Sequence, residues 1–288
     1  MCTKPLSNAF TVKEQIDNLY SLGLSIENEE DAARVLNEIS YFRLIKAYSL
    51  GLKPKNSNYF ENSSFDTIVS LYEFNTAFRQ LMFTLIEQIE VNLRCRVGNY
   101  FSLKYGVLGY ENPENFSDSE YHLQFINDIN HEIERNSKSP FVRNYKEHYG
   151  GKIPLYAAVE LFSFGTLSKF FKNMKNADKK AIASLYGINY KYLESWLESI
   201  TYIRNICAHY GRIYNAKFTK RPMMYKQDLE QCIDNSKMFA VLLCISRLIV
   251  HDNKWFNTLD QIELLFEKYY VVKLSAIGFP HNWKELLI

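Results

Sequence analysis

The amino-acid sequence predicts an all-α fold, and three observations carry that expectation. The 288 residues include only 11 Gly and 7 Pro, whereas an all-β chain needs a turn every 8–12 residues or so. Apolar residues recur at steps of three and four over long stretches, the spacing that gathers them on one face of a helix. No segment alternates apolar and polar with period two, and there is no fixed-period repeat or low-complexity tract. A hydrophobic fraction of 47% rules out wholesale disorder. The length allows a sizeable core in one or two domains.

The elements follow in chain order. Thr11 and Glu14 have capping-box spacing and open a short helix that Gly23 stops. Asn28 caps a second helix that runs through Ala32, Leu36, Ile39 and Tyr41–Tyr48. Residues 51–64 are the most loop-like stretch. They set off an N-terminal helical extension, residues 1–60, from a helical domain over 61–288, the two expected to form one compact unit. From Phe65 to about Leu103 there is no Pro and Gly98 is the only Gly. Ile68, Leu71, Phe74, Phe78, Leu81, Leu85, Ile89, Leu93 and Val97 mark one face of a long helix there.

Ser117 with Glu120 is a second capping box and opens a helix to about Asn136. Ser139-Pro140 starts a short helix that stops at Gly150-Gly151. Pro154–Phe164, Thr166–Met174 and Asp178–Tyr186 read as three shorter helices. Asn189 caps the next, whose face is Leu193, Trp196, Leu197, Ile200, Ile203, Cys207 and Tyr210, with Gly211 as its terminator. Gln227–Val250 and Leu259–Tyr270 are two more helices, and the tail from Ile277 is a turn with a short terminal helix.

Cys2, Cys95, Cys207, Cys232 and Cys244 are odd in number and contain no Cys-x-x-Cys pair. That argues against a disulfide framework or zinc knuckle and for a reducing, cytoplasmic location. Met1 to Phe10 lacks the apolar core of a signal peptide. The longest apolar run, Phe239–Val250, is interrupted by Arg247. It falls short of the roughly 20 apolar residues a membrane span needs, so no membrane partner is expected.

A net charge of +2 gives no support to a nucleic-acid partner by itself. Its distribution does. Between Glu198 and Asp228 there is no acidic residue, while Arg204, Arg212, Lys217, Lys220, Arg221 and Lys226 fall in that interval. Tyr202, Tyr210, Tyr214 and Tyr225 are interleaved, and aromatic rings stack on unpaired bases. Arg212, Lys217, Lys220, Arg221 and Tyr210 are therefore the expected RNA contacts, with Arg212 open to a further reading as C-terminal helix charge. Another basic cluster, Lys169, Lys172, Lys175, Lys179 and Lys180, is opposed only by Asp178.

The most informative stretch is Arg204-Asn205-Ile206-Cys207-Ala208-His209. Asn205 and His209 are one helical turn apart and lie nearly above one another. Arg204 lies about 140° round the helix from His209, yet its long stem reaches toward the same side. A fixed cation beside a base that titrates near neutrality suits phosphodiester cleavage: Arg stabilises charge growing on the phosphate, and His moves the proton. The spacing alone is weak, because 11 Arg and 6 His give about a quarter of such a match by chance. Arg143-Asn144-Tyr145-Lys146-Glu147-His148 has the same spacing. The middle of the 204–209 stretch is apolar and suits a packed core. The middle of the 143–148 stretch is polar and suits a solvated turn, with a surface Arg and a capping His as its plain reading.

The stretch RNICAHYGRIYN resembles the Arg-Asn-x-x-x-His signature of HEPN-type ribonucleases and, more specifically, the Abi-like branch of bacterial abortive-infection proteins. Four further blocks resemble that family in the same order. They are Ile39–Leu44 with Ala47-Tyr48; Tyr72–Asn75 with Arg79, Ile89-Glu90 and Arg94; Pro154–Tyr156 with Glu160 and Ser163–Ser168; and Ile277–Pro280 with Trp283. The likeness spans about residues 10–285.

The resemblance implies a HEPN-type helical bundle with an N-terminal helical extension, and RNA cleavage without metal or cofactor in anti-phage defence. The ribose 2′-OH would attack the adjacent phosphate and leave a 2′,3′-cyclic phosphate. His209 would serve as general base or acid, Arg204 would hold the phosphate, and Asn205 would orient His209 or the substrate. A homodimer would pair two such motifs in one composite site. The toxin would be held off by an antitoxin, either a protein or a structured non-coding RNA. Arg143 and His148 would fall outside the catalytic motif, a two-motif site within one chain being the alternative.

Glu90 and Arg94, one helical turn apart, read either as a buried ion pair or as a pair near the phosphate. His122, His131, His251 and His281 show no metal spacing, and His251-Asp252 has no partner, so no metal site is expected. Cys207 is expected in the core rather than as a nucleophile. Two rival functions remain. One is a non-catalytic RNA-binding or sensor protein, the other an interaction module in which Arg204 and His209 make buried hydrogen bonds.

Overall fold

A computed structural model describes residues 8–54, 57–250 and 252–288. Cys2 and His251 lie outside them. The described residues form an all-α architecture, with three isolated bridges and no strand.

Helices α1 (Val12–Ser21) and α2 (Glu29–Glu38) pack together at the N-terminus. Both caps are those the sequence predicts: the Thr11–Glu14 capping box and the Asn28 side chain. Helix α2 is shorter than expected. Ile39 turns extended, and Ser40 begins a new turn by accepting the Arg43 amide at 3.3 Å. A serine hydroxyl that captures a local amide competes with helix propagation. A π-helical turn over Phe42–Lys46 follows.

Helix α3 (Phe65–Tyr105) is the 41-residue spine of the molecule, capped by Ser64, whose hydroxyl accepts the Thr67 amide at 3.1 Å. The predicted apolar stripe is buried along its length except for the half-buried Leu81. Each fully buried Leu, Ile or Phe contributes about 1.5–3 kcal/mol, which is what holds so long a helix. Gly98 sits where a Cβ would meet the Tyr156 backbone and Val159 at 3.4 Å, so its lack of a side chain lets the chain at residues 155–159 approach.

Helix α4 (Ser119–Arg135) is capped by Asp118, not Ser117. The Asp118 carboxylate accepts the amides of Glu120 and Tyr121, while the Ser117 hydroxyl donates to the Met174 carbonyl. Helix α5 (Pro140–His148) is as expected. The helix expected over 154–164 is only the turn α6 (Leu155–Ala158) with a 3₁₀ turn to Leu161. Phe162 is extended and Ser163 caps the next helix, α7 (Phe164–Asn173). Helix α8 (Asn176–Ser184) leads into α9 (Tyr190–Ala208), capped by Asn189.

The helix expected over 227–250 is two helices, α10 (Lys226–Glu230) and α11 (Met238–Ser246). Between them Cys232 is left-handed, and the Asp234 carboxylate accepts both the amide and the hydroxyl of Ser236. That Asx turn breaks the helix. Every residue of α11 is buried. Helix α12 (Asn253–Lys268) starts before Leu259, because the Asp252 carboxylate caps Lys254 and Trp255.

One apolar core runs from Ile16 to Leu287, and Ile16, Leu19, Leu36 and Leu44 from residues 1–60 belong to it. Helix α9 packs against α3, α7, α8 and α11. Its predicted face is buried from Leu193 to Cys207, but Tyr210 is 68% exposed. No helix among the described residues is long and apolar enough to cross a membrane.

Candidate functional site

The candidate site is the C-terminal end of α9 where it meets the middle of α3. Two backbone bonds close the helix: Tyr210 N–H to the Cys207 carbonyl at 3.3 Å and Gly211 N–H to the Ile206 carbonyl at 2.7 Å. This is a Schellman ending, which wants a left-handed residue just past the cap. The sequence points to Gly211 for that place, but the left-handed residue is Tyr210, with φ 57°. A non-glycine there costs about 1 kcal/mol or more. Gly211 serves a different need, since a Cβ would stand 2.8 Å from Ile206 Cγ2.

Asn75 holds the segment that follows. It is buried on α3, its carbonyl oxygen accepts the amides of Ile213 and Tyr214 at 2.7 and 2.9 Å, and its amide donates to the Gly211 carbonyl at 3.4 Å. From the π-helical turn, Arg43 Nη1 donates to the Tyr210 carbonyl at 3.1 Å. The end of the motif is thus fixed by tertiary bonds as well as by its own helix.

The three motif side chains have different surroundings. Arg204 is half-buried, with Nε 3.8 Å from Glu90 Oε2 and its guanidinium carbon 5.6 Å from the Phe83 ring centre. Glu90 also pairs with Arg94, which donates in turn to the Val159 carbonyl. Glu90 and Arg94 thus form the mostly buried ion pair of the first reading, and its carboxylate lies 3.8 Å from Nε of the motif arginine. Asn205 and His209 are exposed, and neither side chain has a hydrogen-bond partner among the described residues. Cys207 is buried, and burial pushes its thiol up to about 12 against the opposing charge of Arg79. It stays protonated at neutral pH and is no nucleophile.

In space the basic interval is less cationic than in sequence. Lys220 pairs with Glu198 and Lys226 with Glu230. Arg212 Nη1 donates to the carbonyls of Tyr214 and Asn215 at 2.6 and 3.0 Å, and burial lowers its pKa. Lys217 and Arg221 are exposed and make no ion pair among the described residues. Tyr214 is buried and closed to stacking, whereas Tyr210 is open. In the other basic cluster, Lys179 pairs with Glu194, and buried Asp178 accepts from Lys104, Tyr105 and Tyr100.

Two arginines that local sequence does not single out as site residues come to the same place. Arg43 is one of them. The other, Arg79, is buried on α3, one turn after Asn75, and has no carboxylate partner among the described residues. Its Nη2 donates to Thr76 Oγ1 at 3.3 Å and the Tyr210 ring centre lies 5.6 Å from its guanidinium carbon. Burial pushes the Tyr48 phenol up to about 12, opposed by the charges of Arg79, Arg212 and Arg43. A cleft of about 390 Å³ opens beside Arg79, lined by Thr76, Arg79, Gln80, Phe83, Thr84, Cys207, Ala208 and Tyr210. The signals for Arg79 in sequence are its four-residue step from Asn75 and its place in a block that resembles the family.

The other copy of the spacing is elsewhere. Arg143 and His148 are exposed on α5, which buries only Val142. Among the described residues their side chains make no hydrogen bond or ion pair with α9. No group of three His, Cys, Asp or Glu among the described residues is placed to hold a metal ion.

Fold and site together define an all-helical protein with a cationic cleft at the end of one central helix. A family model described as Abi-like protein matches residues 34–215, more than half of the chain, and the chain belongs to that family. The match takes in Asn75, Arg79, Glu90, Arg94 and the whole of Arg204–His209. The family places the chain among abortive-infection proteins, which act in defence against phage. No curated protein and no solved structure matches the chain significantly.

Proposed function

We propose that this Abi-like protein is a metal-independent endoribonuclease of the HEPN type, acting as an abortive-infection toxin. The observation that carries the reading is the contrast within the motif. Arg204 is half-buried, its Nε paired with Glu90 at 3.8 Å without a hydrogen bond and its guanidinium beside Phe83, while Asn205 and His209 stand exposed with no hydrogen bond among the described residues.

In the reaction the ribose 2′-oxygen bonds to phosphorus as the 5′-oxygen leaves. One group removes the 2′ proton, another delivers a proton to the leaving oxygen, and the product ends in a 2′,3′-cyclic phosphate. Arg204 neutralises charge that grows on the non-bridging oxygens. Two proton transfers need two groups, and each chain offers one His209, so a homodimer that faces two motifs supplies both. Lys217 and Arg221 extend the basic surface for the RNA strand. The antitoxin, protein or structured RNA, would cover this same end of α9.

The test is cleavage of a mixed-sequence oligoribonucleotide with end mapping. Wild type should yield 2′,3′-cyclic termini in EDTA, and a 2′-deoxy substitution at the cut site should block the cut. Mixing Arg204→Ala chains with wild type should give intermediate activity. Cleavage that survives His209→Ala, or that stops on chelation, overturns the mechanism. RNA binding without products from wild type would instead favour a non-catalytic RNA sensor.

A further inference from the structure

Arg79 presents an unusual combination. It is 6% exposed, and its Nη1 is buried without a hydrogen-bond partner. The ion pairs among the described residues include none for Arg79, Arg43 or Arg212. A buried cation without a counter-ion is among the costlier features a core can carry, and here only the Asn75 carbonyl, the Thr76 hydroxyl and the Tyr210 ring face it. A ligand anion would be that counter-ion. The cleft beside Arg79 adds groups a nucleotide can use: the amide of Gln80, the exposed rings of Phe83 and Tyr210, and the hydroxyl oxygens of Thr76 and Thr84, whose protons go to the Tyr72 and Gln80 carbonyls.

We propose that this cleft is a nucleoside-phosphate subsite, in which Arg79 binds the phosphate and Tyr210 or Phe83 stacks on the base. It is distinct from the Arg204–His209 pair and lies beside it, sharing Phe83, over which Arg204 sits. The Tyr210 ring centre lies 5.6 Å from the Arg79 guanidinium carbon, and its side chain is 68% exposed, so the ring can turn away from the cation without unpacking the core. The strained backbone of Tyr210 fits this role, because strain at a non-glycine position persists where the side chain is needed. Arg43, bonded to the Tyr210 carbonyl, and Arg212, in the following loop, add positive potential that draws an anion in. As a unit of an RNA strand, the nucleotide bound here would neighbour the scissile phosphate and set the register of the cut. That last step rests on the ribonuclease reading; the subsite itself does not.

The experiment uses the full chain with His209→Ala, so that RNA stays intact, and follows a short labelled oligoribonucleotide by fluorescence anisotropy. Adding Arg79→Met should raise Kd about tenfold or more and reduce the salt slope by about one ion. The melting temperature should stay level or rise, because a buried charge without a counter-ion is removed. Arg79→Lys should recover part of the affinity, and Tyr210→Ala should weaken binding about tenfold. Unchanged Kd in Arg79→Met overturns the subsite. A marked fall in melting temperature that Arg79→Lys fully repairs, with Kd unmoved, also overturns it and makes Arg79 structural.

Adenosine monophosphate and inorganic phosphate serve as competing probes. Displacement by the mononucleotide in the parent, lost in Arg79→Met, supports the nucleoside-phosphate chemistry. An oligomer that binds at least tenfold tighter than the mononucleotide assigns the source to an RNA strand, and equal affinities assign it to free nucleotide. Arg79-dependent binding with no cleavage by wild type leaves the subsite standing and removes the nuclease. Cleavage with Arg79-independent binding does the reverse.

Discussion

The chain carries the same six-residue spacing twice, and the two copies behave differently. On α9 the motif ends a 19-residue helix whose inner face is fully packed, and Asn75, Arg43 and Glu90 reach it from other elements. On α5 it ends a nine-residue helix with one buried residue, and both Arg143 and His148 face solvent. Even the helix endings differ by one register position. The first left-handed residue is Gly150 after α5, with Gly151 following in the same region, and Tyr210 after α9. The spacing does not distinguish a site from a surface helix. What distinguishes them is how many independent elements hold the helix end.

The largest effect that can sharpen this comparison is catalytic. His209→Ala should reduce cleavage of an oligoribonucleotide by about 10²–10⁴-fold, the range for losing a general acid or base. His148→Ala should leave the rate within twofold. Equal losses from both substitutions would break the comparison and point to a site that uses both copies.

Next in size is the tertiary clamp. Asn75→Ala leaves the amides of Ile213 and Tyr214 buried without their acceptor. It should lower stability by about 2–4 kcal/mol, read from urea melts. At α5 the corresponding tie is the Lys146–Glu134 ion pair on the surface, and Lys146→Ala should leave the melting temperature unchanged. A mild Asn75→Ala would mean the segment after α9 is held by its packing alone.

Smaller again are the effects at the two left-handed positions. Gly150→Ala places a Cβ at φ 61° and should cost about 1 kcal/mol. Tyr210→Gly relieves the backbone but removes the ring over Arg79, so stability should move by less than about 1 kcal/mol. Its measurable loss should be in RNA affinity. A variant that gains stability and keeps its affinity would remove any functional reason for the strain.

These contrasts also mark what is legible in the sequence. The all-α fold, the spine of α3, the caps of α1 and α9 and the buried face of α9 follow from local spacing and capping chemistry. The breaks that local periodicity misses, at Ser40, Phe162 and Asp234, arise where a side chain or an extended residue interrupts an otherwise helical pattern. Charge is the hardest to read. The basic run after Glu198 reads as open because Glu198, Glu230 and Glu90 are outside it or far along the chain, yet each reaches one of its cations. Arg43 and Arg79 are isolated in sequence and become neighbours of the motif only by folding. Asn75 and Arg79 fall in a block whose likeness to the family is visible, but its use as a clamp and a cation needs the packed helix pair.

The smallest expected effect separates the two copies by pH. Cys207 and Lys146 occupy equivalent places in the two six-residue stretches. The Cys207 thiol titrates near 9 when free and is pushed up to about 12 by burial in the fold. The folded state therefore keeps a proton that the unfolded chain releases. Its contribution to stability is full below about pH 9 and is lost as the pH rises toward about 12. At α5 the sign is reversed. The hydrogen bond from Lys146 holds the Glu134 carboxyl below its usual range, so that contribution is present at neutral pH and fades as acid protonates Glu134. Cys207→Val removes the thiol, and any packing change from its extra methyl group is the same at both pH values, so it should flatten the fall in stability between pH 8 and 9 by under about half a kcal/mol. Urea midpoints at the two pH values, compared with those of wild type, measure it. A variant as sensitive to base as wild type would place the alkaline loss on other buried groups, and Cys244, a second thiol that burial pushes up, is the first to substitute, because an unfolded tyrosine barely titrates below pH 9.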